Sequence, residues 1–163
     1  MTELGVIALD VGEKRVGVAA TDDLGLTAQP LTVLSRKPHG LFLEAVKKIA
    51  EERGAGLVVL GLPRLTTGEN GVQAQRVMSL AHELRSRLNL TVRTYDERLT
   101  TAMADRVFDE AGVSRRDRRQ AVDMTAATLI LDGYLSDRNR LAREAGPAAA
   151  EPRAEPGETP ENR

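Results

Sequence analysis

Residues Leu4 to Asp10, LGVIALD, form a short, almost wholly apolar run that ends at Val11 and Gly12. A strand that is apolar on both faces needs cover on both, which places it centrally in a sheet. Arg15 to Thr21, RVGVAAT, follows after a few turn-type residues, with Val16, Val18 and Ala20 alternating against small side chains. That pattern reads as the return strand of a hairpin. Gln29 to Ser35 is a third strand, and its Pro30 favours an edge or first position because proline donates nothing to a ladder.

Beyond Ser35 the period changes. Phe42, Ala45, Val46, Ile49 and Ala50 recur at helical spacing and Gly54 stops the run, so Leu41 to Arg53 is predicted as an amphipathic helix. Leu57 to Gly61 is a buried strand, Val72 to Leu88 a helix with one apolar face, and Leu90 to Asp96 a fifth strand. A helix from near Thr100 to Gly112 and a last one from Arg119 to Leu135 complete the series. Three strands in succession, then helix, strand, helix, strand and two helices, predict an α/β domain: a five-stranded mixed sheet flanked by helices.

The chain has 163 residues, 41% apolar and 29% charged, with a net charge of -1, which suits one domain. Four of the seven prolines fall after residue 146, in a stretch without large apolar residues. Such a stretch cannot bury enough to offset its ordering cost, so residues 144–163 are predicted as a disordered Pro/Glu/Ala-rich tail behind a domain of residues 1–143. The tail carries five acidic and two basic residues, leaving +2 on the rest. That excess is too small to identify a nucleic-acid binder by itself. No apolar run approaches the ~20 residues of a membrane span and no signal segment opens the chain, so a cytoplasmic protein without a membrane partner is expected. With no cysteine and only His39 and His82, thiolate chemistry and a sulfur- or histidine-rich metal site are excluded. Any metal would sit on oxygen.

Ligands of open α/β sheets bind beyond the carboxyl ends of central strands. Asp10 ends the first strand, Glu97 follows the fifth, and Asp123 is expected in the first turn of the last helix. Taken singly, each has an ordinary explanation as a turn former or a first-turn helix acid. Asp123, however, shares a helical face with Ala126, Ala127 and Ile130, where a carboxylate is costly unless paired or bound to a cation. Three clustered carboxylates suit two divalent cations about 4 Å apart, the arrangement that hydrolyses phosphodiesters, and hard oxygen ligands point to Mg2+ or Mn2+. Gly61, Leu62 and Pro63, with Gly68 and Gly71, form a loop open to a phosphate. Arg115, Arg116, Arg118 and Arg119, flanking Asp117, are a candidate backbone clamp just before the last helix. No Walker or dinucleotide loop occurs, and four aromatic residues are too few for a base-stacking platform.

LDVGEKRVGVA from Leu9, GLP from Gly61, DERLTT from Asp96 and VDMTAATLILDGYL from Val122 together resemble the YqgF family, over Met1 to about Ser136. The resemblance implies a ribonuclease H-like fold akin to Holliday-junction resolvases, and a nuclease that matures the precursor of small-subunit ribosomal RNA. It implies Asp10, Glu97 and Asp123 as metal-binding catalytic carboxylates, with Lys14 and Arg15 in the adjoining hairpin and Arg98 next to the second acid; the arginine clamp of Arg118 and Arg119 rests on the residues themselves. The last motif departs from the family in having Arg118 and Arg119 where a lysine often stands, and Met124 after the aspartate.

The leading expectation is therefore a metal-dependent endonuclease on structured RNA, with ribosomal precursor particles among its partners and a monomer or homodimer as its state. A four-way DNA junction resolvase is the alternative with the same chemistry, and it requires a symmetric dimer. A non-catalytic nucleic-acid-binding or transcription-associated module is the alternative from another class. A nucleotide binder of the actin and hexokinase type is disfavoured, because it closes two such domains over its ligand.

Overall fold

The computed structural model describes residues 5–63, 68–96 and 114–146. Within them the chain runs β1 (Val6–Val11), β2 (Arg15–Thr21), β3 (Ala28–Ser35), α1 (His39–Glu52), β4 (Leu57–Leu62), α2 (Gly68–Leu88), β5 (Thr91–Asp96) and α3 (Arg115–Glu144). The strands form one mixed sheet in the order β3-β2-β1-β4-β5. β1 is central, antiparallel to β2 and parallel to β4, which is parallel to β5. The apolar first run thus occupies the middle of the sheet and Pro30 lies on the edge strand, opposite Ala19 at a register irregularity.

Each face of the sheet has its own core. Ile7, Leu9, Val16, Val18, Val58 and Leu60 pack with Phe42 and Val46 of α1 and with Val77, Leu80 and Leu84 of α2. Val6, Ala8, Ala19, Leu57 and Val59 pack with Ala127, Ile130 and Leu131 of α3. Alternate residues of β1 feed opposite cores, as the pleat requires.

The elements differ from their sequence readings at the ends. β1 begins at Val6 and extends through Val11, where pairing with Val16 closes the hairpin. α2 starts at Gly68, so Gly68 and Gly71 belong to a helix and not to a loop. Its first turn has no apolar face, and apolar spacing registers only from Val72. α3 starts at Arg115, four residues before the expected Arg119, and continues nine beyond Leu135 to Glu144. Ser114 caps it, accepting from the Asp117 amide and donating 2.6 Å to the Asp117 carboxylate. The signal at this end is the Ser-x-x-Asp cap, which lies ahead of the apolar face. Asp123 is therefore in the third turn of α3, where it does not serve the helix dipole. The helix expected near Thr100 to Gly112, and residues 147–163 of the expected tail, lie outside the described residues.

β5 is tied to α3 by two tyrosines. Tyr95 donates 2.8 Å to Asp137 and meets Tyr134 edge-on, with ring centroids 6.3 Å apart. Desolvation, then the bond to Asp137, pushes the Tyr95 phenol up to about 12. A phenol whose pKa is raised on folding contributes stability in full below its unfolded value near 10, and the contribution is lost as pH rises through the folded value. Tyr95 and Tyr134 are the only two tyrosines. Ultraviolet titration is expected to show one phenol ionising near pH 12, and Tyr95→Phe to remove that step; a step that persists assigns it elsewhere.

Candidate active site

The parallel strands β1, β4 and β5 end at one edge of the sheet, where Leu60 lies beside both Leu9 and Thr94. Asp10 is the next residue of β1, and it pairs directly with Gly17 of β2. Residues opposite one another in an antiparallel pair project from the same face. That face is the one covered by α3, since Val6 and Ala8 pack there. A Cβ on Gly17 would overlap the backbone carbonyl of Asp123 and stand 3.2 Å from its Cα. The α3 backbone therefore rests on the sheet at Gly17, beside Asp10, with Asp123 at the point of contact. Ala126 and Ala127, both buried one turn later, allow this approach.

The β1–β2 turn brings further groups to the same place. Gly12 donates 2.9 Å to the Arg15 carbonyl, closing a tight turn on Glu13 and Lys14. Arg15 Nε donates 2.9 Å to Asp123 Oδ2, joining hairpin to helix through a part-buried ion pair. An open cleft of about 620 Å³ lies between them, lined by Gly12 to Arg15 and by Arg115, Arg118, Arg119, Val122 and Asp123. Its basic residues are Lys14, Arg15, Arg115, Arg118 and Arg119, against the acids Glu13 and Asp123.

The arginines sit within the first turns of α3, not before it. Cations at a helix N-terminus oppose the dipole, so the helix gains nothing from them. An anion bound in the cleft would reverse that balance, since amide ends and guanidinium groups would then act on it together.

Of the expected site residues, Asp10, Asp123, Lys14, Arg15, Arg118 and Arg119 converge on this edge. Glu97 and Arg98 lie outside the described residues; they follow Asp96, the end of β5 at the same edge. Among the described residues no three carboxylates or histidines form a metal-binding group, and the expected third acid is not one of them. Two residues that the sequence reading did not single out steady the turn after Asp10. Gln73 of α2 donates its amide to the Val11 carbonyl, and Arg36 donates 3.2 Å to the Gly12 carbonyl. Neither has a local signature, because each acts on a carbonyl distant in sequence.

Comparison with known proteins adds findings of three kinds. The model of the family described as "RuvX: Holliday junction resolvase" matches residues 5–137. A Moorella thermoacetica protein named "Putative pre-16S rRNA nuclease" is 47% identical over 130 residues, covering 80% of this chain and 93% of its own. One of the same name from Pelotomaculum thermopropionicum is 42% identical over 142 residues, covering 86% and 92%. Among solved structures, the fold is similar to that of Thermus thermophilus RuvC bound to a Holliday junction, with a TM-score of 0.52 at 14% identity, covering 83% of this chain and 96% of that one. A fowlpox virus resolvase in complex with junction DNA gives a TM-score of 0.52 at 10% identity, covering 82% and 98%. The mixed sheet, the family match along nearly all of the folded chain and the similarity to these relatives agree: the chain belongs to the YqgF (RuvX) family of nucleases and has the ribonuclease H-like fold.

Proposed function

We propose that this protein is a divalent-metal-dependent endonuclease that hydrolyses phosphodiester bonds in structured RNA, with the precursor of small-subunit ribosomal RNA as its substrate. The supporting observation is the contact at Gly17, which sets Asp123 beside Asp10 at the mouth of a basic cleft. RNA stands ahead of DNA because the relatives at 47% and 42% identity carry the pre-16S rRNA name. A ribosomal precursor as substrate also places the protein in the cytoplasm.

The donor set fits a hard cation. Asp10 and Asp123 offer carboxylate oxygens on one face, and Glu97, one residue past β5, would be the third ligand. All-oxygen ligation suits Mg2+ or Mn2+. Two such ions, when bound, activate water and neutralise charge at the departing oxygen. The chain's own cations hold the strand: Lys14 and Arg15 from the turn, Arg118 and Arg119 from α3, and Arg98 beside the second acid. In hydrolysis the oxygen of water bonds to phosphorus, the bond from phosphorus to the leaving oxygen breaks, and that oxygen takes up a proton.

Replacing both Arg118 and Arg119 by alanine is expected to weaken RNA binding and lower the slope of log K against log salt by roughly 1 per lost phosphate contact. An unchanged slope removes them from the interface. A labelled panel of precursor RNA, unstructured RNA and four-way DNA junction, incubated with Mg2+ or Mn2+, tests the substrate. Cutting of precursor RNA supports the proposal. The family description favours a second reading, junction resolution, which predicts junction cutting by a dimer. Binding without any cutting would make the protein a non-catalytic module.

A further inference from the structure

A second cleft opens on the other side of the β1–β2 turn. It measures about 290 Å³ and is lined by Arg36, His39, Arg76, Gln75, Ser79 and Glu83, among others. Arg36 links it to the first cleft: its backbone amide donates 3.0 Å to the Lys14 carbonyl, and its guanidinium donates to the Gly12 carbonyl. Gly12 and Lys14 line the first cleft, so Arg36 ties the second cleft to the turn that lines the first. Both lie at the edge where β1 and β4 end, one under α3 and the other between α1 and α2.

The chemistry of the second cleft is that of an anion site with polar neighbours. The Glu83 carboxylate accepts from His39 Nε2 at 2.8 Å, and it also faces Arg87 at 3.9 Å. Its charge is thus committed across α1 and α2. Arg36 donates its guanidinium to a neutral carbonyl, and no acidic side chain among the described residues pairs with it. Arg76 adds a second guanidinium, with the Gln75 amide and Ser79 hydroxyl beside it on α2. An arginine pair flanked by neutral hydrogen-bonding groups suits phosphate oxygens, with Val72 and Leu80 as the apolar part of the lining.

We propose that this cleft is a second phosphodiester-binding site, over which the substrate strand continues after crossing the β1–β2 turn. The inference rests on the nucleic-acid reading above and extends it. The strand would be gripped on both sides of the turn that follows Asp10, fixing which phosphate lies at the carboxylates. A long strand engages both clefts and a short one only the first.

The test measures binding alone, by fluorescence anisotropy in metal-free buffer with two labelled RNA strands, one long enough for both clefts and one for the first only. Arg36→Ala with Arg76→Ala is expected to weaken the long strand about tenfold or more and to lower its salt slope by roughly 1 to 2. Short-strand binding is the selective readout and should stay unchanged in a variant that keeps Arg36 on the turn. Arg76→Glu, which leaves the Arg36 bond to the turn intact, should weaken the long strand in the same selective way even where the double variant unsettles the hairpin. Equal affinities and slopes for wild type and both variants on the long strand would overturn the second site while leaving the first. Failure of wild type to bind either strand would overturn the nucleic-acid reading and this inference together.

Discussion

Gly17→Val is expected to abolish cleavage and to lower the melting temperature by about 6–12 °C, corresponding to roughly 3 kcal/mol at ~2–4 °C per kcal/mol. By strand propensity alone, valine in the middle of β2 should be an improvement. The loss arises because any side chain there meets the backbone of α3 at Asp123, a rigid main chain that cannot rotate aside as a side-chain tip would. α3 must lift, which opens the core formed by Ala127, Ile130 and Leu131 and carries Asp123 away from Asp10. Calorimetry and a cleavage assay on the same sample check both effects. A Gly17→Val protein that melts like wild type and cuts RNA would show that the contact does not position the site.

The carboxylates should separate by variant. Asp10→Asn and Asp123→Asn are each expected to reduce cleavage by at least about a hundredfold, the loss of roughly 3 kcal/mol of transition-state stabilisation. Their stabilities should differ in metal-free buffer. Asp10→Asn removes one negative charge from beside Asp123, so its melting temperature should equal or exceed that of wild type. Asp123→Asn also weakens the ion pair with Arg15, a partly exposed bond worth at most about 1 kcal/mol, so it should melt slightly lower. Mn2+ should raise the melting temperature of wild type and have much less effect on either variant. Equal stabilisation of all three proteins by Mn2+ would place the ion elsewhere.

The sheet was legible because its signals are local. An apolar run bounded by Asp10 and Gly12, alternating valines in β2 and a proline on an edge strand each report one element's surroundings. Asp10 was legible as a strand end at this edge, since strand ends in an open sheet converge whatever the residues between, whereas Asp123 lies inside α3 and Glu97 outside the described residues. The role of Gly17 was not, because it depends on a helix more than a hundred residues away in sequence. The early start of α3 was missed for a different reason: its first two turns are polar, and periodicity detects only a buried face. The same polarity now explains the cleft, whose arginines lie on the helix end that packing leaves open. Arg36 and Gln73 were beyond reach too, because a side chain that holds a distant carbonyl has no spacing to reveal it.

The most direct test of the carboxylate site is the cleavage of labelled precursor RNA by wild type and Asp10→Asn purified side by side, each with Mg2+ and with chelator. The account predicts cutting by wild type with metal and in no other lane. Cutting by Asp10→Asn at the wild-type rate, or undiminished cutting in chelator, would contradict it.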